Sequence, residues 1–169
     1  NVQASRNECA ASSDNRHGLL DQPCAQSQET PSSLGMFAPI APAEDRAALA
    51  AEIAQCESLG ETRDSKQILL YRYHENSALM NEVGRLREQS FRLIGEGTGH
   101  ARDLDDYDKS YMHIILWDER DLEVVGAYRL CSTVDAYPNL QFYTSSLFRF
   151  LPESSEFLGA GLELGRSFV

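Results

Sequence analysis

Glu163 and Arg166 are the residues whose types and spacing most readily suggest chemistry. They lie on Leu162-Glu163-Leu164-Gly165-Arg166-Ser167, a segment that reads as a strand. A carboxylate can bind an ammonium group and take a proton from it, directly or through water. On a regular strand, positions three apart point to opposite faces, so these two side chains could not act together. Gly165 lies between them, and a glycine inside a strand often marks a bulge or a close backbone approach. A bulge would shift the alternation and turn both side chains toward one cleft. The competing reading is that each pairs with a structural partner on a neighbouring strand.

Asp103, Asp105 and Asp108 form a second cluster. It suits recognition of a cation, or pairing with Arg87 and Arg129 to shape a pocket, or it is a solvated charge run in a loop. Arg129 follows Val125 and Ala127 on one strand face, where a covered arginine needs a carboxylate partner. Arg87 lies about half a turn off the apolar stripe of its helix and also fits an ordinary surface position.

The elements that must position these residues follow from periodicity. Residues 1–36 are rich in Ser, Asn, Gln and Ala without an apolar period, and are expected to be disordered or an upstream tail. Residues 37–66 read as a linker helix, with acidic residues near its start, Leu49, Ile53 and Cys56 on one face, and Gly60 as its stop. Gln67 to Tyr73 reads as a strand. Asn76 or Ser77 can cap a helix to about Leu93, with Leu79, Val83, Leu86, Ser90 and Leu93 as its stripe. Tyr111–Trp117 and Leu122–Leu130 make an antiparallel hairpin around Asp118–Asp121, and Leu162–Val169 is the last strand. The layout is α+β with a mainly antiparallel sheet.

Composition excludes several classes. The 169 residues carry a net charge of −11, which argues against nucleic acid as a partner and disfavours broad adhesion to anionic lipid. An acidic surface suits a cationic or amine substrate better. The four cysteines, Cys9, Cys24, Cys56 and Cys131, have no Cys-x-x-Cys spacing, and the histidines complete no zinc pattern, so no metal is expected. They read as reduced thiols in a cytoplasmic protein. There is no signal peptide and no apolar run of spanning length. The chain begins on Asn1 and stops on Val169 inside a predicted strand, so both ends read as cuts in a longer chain.

Four features occur in one order: Leu86-Arg87 with Phe91, Asp105-x-x-Asp108 before a Tyr-led strand, Val125-Gly126-x-Tyr128-Arg129-Leu130, and Glu163-x-Gly165-Arg166. Together they resemble the GNAT-related acyltransferases that include ornithine-lipid N-acyltransferases, often called haemolysin-like, and acyl-homoserine-lactone synthases. The resemblance covers residues 67–169, and Pro39 to Tyr73 looks like a junction after a lysophospholipid acyltransferase domain. It implies a GNAT-like mixed, mainly antiparallel sheet flanked by helices and incomplete at its C-terminal end. It also implies transfer of a fatty acyl group, from an acyl carrier protein or coenzyme A thioester, to an amino-acid-type amine in lipid biosynthesis. No bound cofactor is implied. Peripheral attachment to the inner membrane would come through the parent protein. On this reading Glu163 is the base or base-organiser, Asp105 and Asp108 are the amine-side acids, and Arg87, Arg129 and Arg166 form an ion-pair framework. An acidic chain repels an acidic carrier protein, which favours a coenzyme A donor unless a basic patch lies elsewhere. The alternative is a non-catalytic regulatory module attached to a lysophospholipid acyltransferase.

Other motifs carry less. Gly95-Glu96-Gly97-Thr98-Gly99 looks like a phosphate cradle, but it follows a helix, whose end is negative. It reads as a helix stop and mobile loop. His100 and Asp105 have the His-x-x-x-x-Asp spacing of glycerolipid acyltransferases without its context. His113 reads as a satisfied sheet histidine. Phe142, Tyr143, Phe148 and Phe150 could line an acyl pocket, though core packing is the commoner fate of such residues.

Overall fold

The computed structural model describes residues 37–136, 142–154 and 158–169; the stretch 1–36 expected to be disordered lies outside them. The elements are α1 (Arg46–Ile53), β1 (Glu57–Glu61), β2 (Gln67–Arg72), α2 (Ala78–Leu93), α3 (Tyr107–Ser110), β3 (Met112–Asp118), β4 (Glu123–Ser132), α4 (Thr133–Ala136), α5 (Tyr143–Leu147) and β5 (Leu162–Phe168). The five strands form one sheet in sequence order, and every neighbouring pair is antiparallel. With its flanking helices this is the α+β layout expected of a GNAT-like fold. Among the described residues no helix is long and apolar enough to cross a membrane.

The segment 37–66 is more than a linker helix. Asp45 caps α1 by accepting from Ala48 N, and the helix stops at Ile53, short of Gly60. Glu57–Glu61 then pairs with β2, which gives its backbone a ladder. Leu49 and Ile53 are buried in the same cluster as Leu79, Val83, Ile115 and Trp117. Glu52 accepts from Ser77 Oγ, Ala78 N and Leu79 N, so a carboxylate of α1 sits at the positive end of α2.

Strand β3 alternates as a half-buried strand should, but its covered face is the mixed one. His113, Ile115 and Trp117 are buried, whereas Met112, Ile114 and Leu116 are only partly covered. The reason is that α1 and α2 pack on the Ile115–Trp117 side. Helix α2 also departs from its expected stripe. Leu79 and Val83 are fully buried, but the row continues at Arg87, four residues on, and Leu93 is 84% exposed. A row spaced by four runs along one face of a helix. Arg87 can occupy it because a carboxylate waits beneath.

Gly95 ends α2 in the left-handed region, as its position predicts, but the loop after it is pinned. The buried Glu88 carboxylate accepts from Arg92 Nε (2.7 Å), Thr98 N (2.9 Å), Thr98 Oγ1 (2.7 Å) and Gly99 N (2.8 Å). Burial pushes its pKa up, but the Thr98 and Arg92 donors outweigh that and hold it at about 2.

Two predictions follow from these contacts. A Cβ on Gly126 would lie 2.7 Å from the Phe168 carbonyl oxygen, a backbone atom that no rotamer change can move. Gly126→Ala should therefore cost about 1–3 kcal/mol in chemical denaturation. Gly165→Ala, whose Cβ meets nothing within 4 Å, should stay within about 0.5 kcal/mol of the parent. Equal losses would show that the β4–β5 approach is not the constraint. For Glu88, the folded pKa lies below the ordinary 4.5, so its contribution is present above that pH and lost as pH falls toward about 2. Denaturation midpoints measured across that window should fall less steeply in Glu88→Gln.

Candidate active site

Three arginines and three aspartates interlock under the β4–β5 end of the sheet. Arg87 of α2 donates Nη1 to Asp108 of α3 at 3.0 Å. Arg129 of β4 donates Nη1 to Asp105 at 2.5 Å and to Asp108 at 3.2 Å. Arg166 of β5 donates Nη1 to Asp103 at 3.1 Å, and its Nη2 lies 3.8 Å from Asp105. Arg87, Asp103, Asp108 and Arg129 are each no more than 2% exposed. Such burial is tolerable only because the charges meet partners. Burial alone would raise the Asp108 pKa, but Arg87, the Asp105 N–H and Arg129 hold it below its usual value. Asp103, with desolvation dominant, is shifted upward.

Asp108 shows the pairing reading of the acidic cluster: shut inside the protein with Arg87, it supports Arg129. Asp106, beside the cluster, is solvated and paired with Lys109 at the surface. Asp105 is partly exposed beside Arg129 and Arg166. His113 is buried, its Nε2 lies 3.2 Å from the Asp108 carbonyl oxygen, and burial lowers its pKa. It braces the frame as a neutral ring.

The bulge foreseen at Gly165 is present one residue later. Ala127 is level with Phe168 and Arg129 with Gly165, so Tyr128 alone faces Arg166 and Ser167. The left-handed residue is Arg166, with φ 52°, and not the glycine. A non-glycine residue there costs about 1–2 kcal/mol, which the pairing with Asp103 helps to offset. The result is that Glu163, Gly165 and Arg166 all line the cleft side of β5.

Glu163 is held by a ring of donors. Its Oε1 accepts from Thr144 N at 2.6 Å and from Thr144 Oγ1. Its Oε2 accepts from the Tyr111 hydroxyl and from Tyr143 N at 3.0 Å. Burial pushes the carboxyl up, but the Thr144 and Tyr111 side chains and the two backbone N–H groups outweigh it and lower its pKa. The Tyr111 phenol is pushed up by burial and by its bond to Glu163. Tyr107, Tyr111 and Tyr143 also surround the Arg129 guanidinium, with centroids 5.7, 5.1 and 5.9 Å from Cζ.

Two cavities open here. One, of about 190 Å³, is lined by Tyr111, Arg129, Tyr143, Thr144, Glu163 and Gly165 among others. The other, of about 220 Å³, is lined by Phe91, Glu96, Arg129, Tyr143, Gly165 and Arg166. They share Arg129, Tyr143 and Gly165. Thr144 and Glu96 were not singled out from the sequence, and Tyr111 entered only as the tyrosine leading into β3 directly after the acidic loop. Of the aromatic cluster, Phe142 is buried against Tyr111 in a small core, while Phe148 is 63% exposed.

Residues 86–169 match the family described as Acetyltransferase (GNAT) domain. This stretch is similar to GNAT acetyltransferase domains. It holds every residue of the site described above. The chain is 35% identical over 130 residues to a glycine N(alpha)-acyltransferase of Phocaeicola vulgatus, covering 72% of this chain and 40% of that protein. It is 36% identical over 132 residues to a glycine N(alpha)-acyltransferase of Bacteroides thetaiotaomicron, covering 72% and 39%. The chain thus spans about two fifths of the length of these relatives. No solved structure gives a significant match.

The frame and the cleft should separate under mutation. Asp108→Ala leaves two buried guanidinium groups short of a partner and should cost about 3–5 kcal/mol in denaturant unfolding. A loss below about 1 kcal/mol would mean that the frame is dispensable.

Proposed function

We propose that this chain carries the amine side of an N-acyltransferase site, which moves a fatty acyl group from a thioester to an amino-acid-type amine. The observation that carries the reading is Glu163, ionised and fixed by four donors, in the cleft of a GNAT-related domain. The relatives' name favours glycine over ornithine as the acceptor. The fatty acyl donor and a role in making acylated amino-acid lipids come from the family resemblance. Acyl coenzyme A and acyl carrier protein are the two donors to compare.

The chemistry follows from charge. When a neutral amine attacks the thioester carbon, the new C–N bond leaves positive charge on nitrogen and negative charge on oxygen. A fixed carboxylate beside the nitrogen stabilises the first of these. The Tyr111 hydroxyl lines the same cavity and donates to Glu163. It can accept the nitrogen proton while passing its own to Glu163. The C–S bond then breaks, and the proton leaves with the thiolate as a thiol. A carboxylate with a lowered pKa is a weak base toward a free ammonium ion, so Glu163 acts best after attack has acidified the nitrogen.

In acyl-transfer assays on the full-length protein, Glu163→Gln should lower kcat by about 10²- to 10⁴-fold. Tyr111→Phe should give a smaller loss, with folding kept in both. Unchanged turnover in Glu163→Gln would remove Glu163 from the chemistry.

A further inference from the structure

Resting on the acyl-transfer reading, we infer that the cavity at Phe91, Glu96 and Arg166 is a carboxylate subsite, so that the acceptor is an α-amino acid with its carboxyl group free. The paired cavities present opposite charges at their two ends. Glu163 stands in one and Arg166 in the other, and they join along Arg129, Tyr143 and Gly165. An amino-acid zwitterion is short and carries its two charges at its two ends. Placed with its nitrogen toward Glu163, it must point its carboxylate toward Arg166.

Arg166 is built for that contact. A guanidinium has five N–H groups in a planar fork that matches a carboxylate in bidentate fashion. Among the described residues one hydrogen bond is made by this group, from Nη1 to Asp103, while Asp105 lies beyond hydrogen-bond distance at 3.8 Å. The side chain is 25% exposed, against 2% for Arg129 beneath it. Phe91 lies under the guanidinium plane at 5.9 Å and limits where the fork can swing. Arg129 lines both cavities and is almost wholly buried, so it sets the floor on which the Arg166 fork sits.

Gly165 completes the floor. A Cβ there would enter open space where the cavities join, so its absence leaves room for a ligand backbone against the strand. The three arginines and three aspartates balance in charge, so attraction comes from directed N–H groups and not from net charge. Glu96 also lines this cavity, and its negative charge opposes that of the ligand, so the Arg166 fork must outweigh it.

The test compares glycine with glycinamide as acceptors for the full-length protein. The amide replaces the carboxylate by a neutral group of the same shape. Its amine is less basic, so more of it is neutral while each neutral molecule is a weaker nucleophile. These effects oppose each other, and the Arg166 variants separate a binding preference from both. The parent should favour glycine by about 10- to 100-fold in kcat/KM, the range of one charged hydrogen-bonded pair. Arg166→Gln should erase that preference by raising KM for glycine far more than KM for glycinamide. Arg166→Lys retains charge without the fork and should fall between them, and it serves as the second variant if Gln disturbs folding. Equal use of both acceptors by the parent, or an equal loss with both in the variants, overturns the subsite. Ligand-observed NMR with the same pair separates the two readings. Glycine binding that depends on Arg166 without any turnover keeps the subsite and rejects acyl transfer.

Discussion

The Asp108 carboxylate lies between the guanidinium groups of Arg87 and Arg129, out of reach of water. Removing a charge from water is expensive, and only well-placed partners repay it. This one contact ties α2, the acidic loop and β4 together. Arg129 is level with His113 on one side and Gly165 on the other, so whatever fixes Arg129 fixes the middle of the β3–β4–β5 sheet. From Arg129 the order passes through Tyr111 to Glu163. The cleft therefore takes its shape from a charge sealed inside the protein.

Two electrostatic settings stand side by side. Under the sheet the charges balance and are sealed, which gives rigidity. In the cleft, Glu163 keeps its charge through hydrogen bonds from neutral donors instead of an arginine. A carboxylate neutralised by a salt bridge would offer little to an ammonium group. One held by a hydroxyl, a phenol and two peptide N–H groups stays negative and available.

How much of this was legible in the sequence depends on range. The hairpin, α2 and its serine cap, and the α+β layout follow from local period and capping, and the structure has them. The glycine between Glu163 and Arg166 pointed to a bulge, because period and glycine chemistry act over a few residues. The donors to Glu163 were not readable, since Tyr111 lies 52 residues and Thr144 19 residues away in the chain. Arg87 entered the ion-pair framework through the family resemblance, while periodicity alone left it fitting a surface position. Periodicity measures apolar content, and a buried arginine with a distant partner looks like a surface residue. The strand Glu57–Glu61 was hidden too, being exposed throughout and identified only by its pairing.

The bulge at Arg166 works as a phase shifter. Before it, odd-numbered residues of β5 face the cleft; after it, Phe168 takes the inward face and joins the core. The same extra residue thus sets both the aim of Arg166 and the burial of Phe168. Loss or gain of one residue here would put Phe168 and the cleft residues out of phase, so that one set or the other faced away from its place. The length of this short segment therefore couples the core position of Phe168 to the aim of the cleft residues.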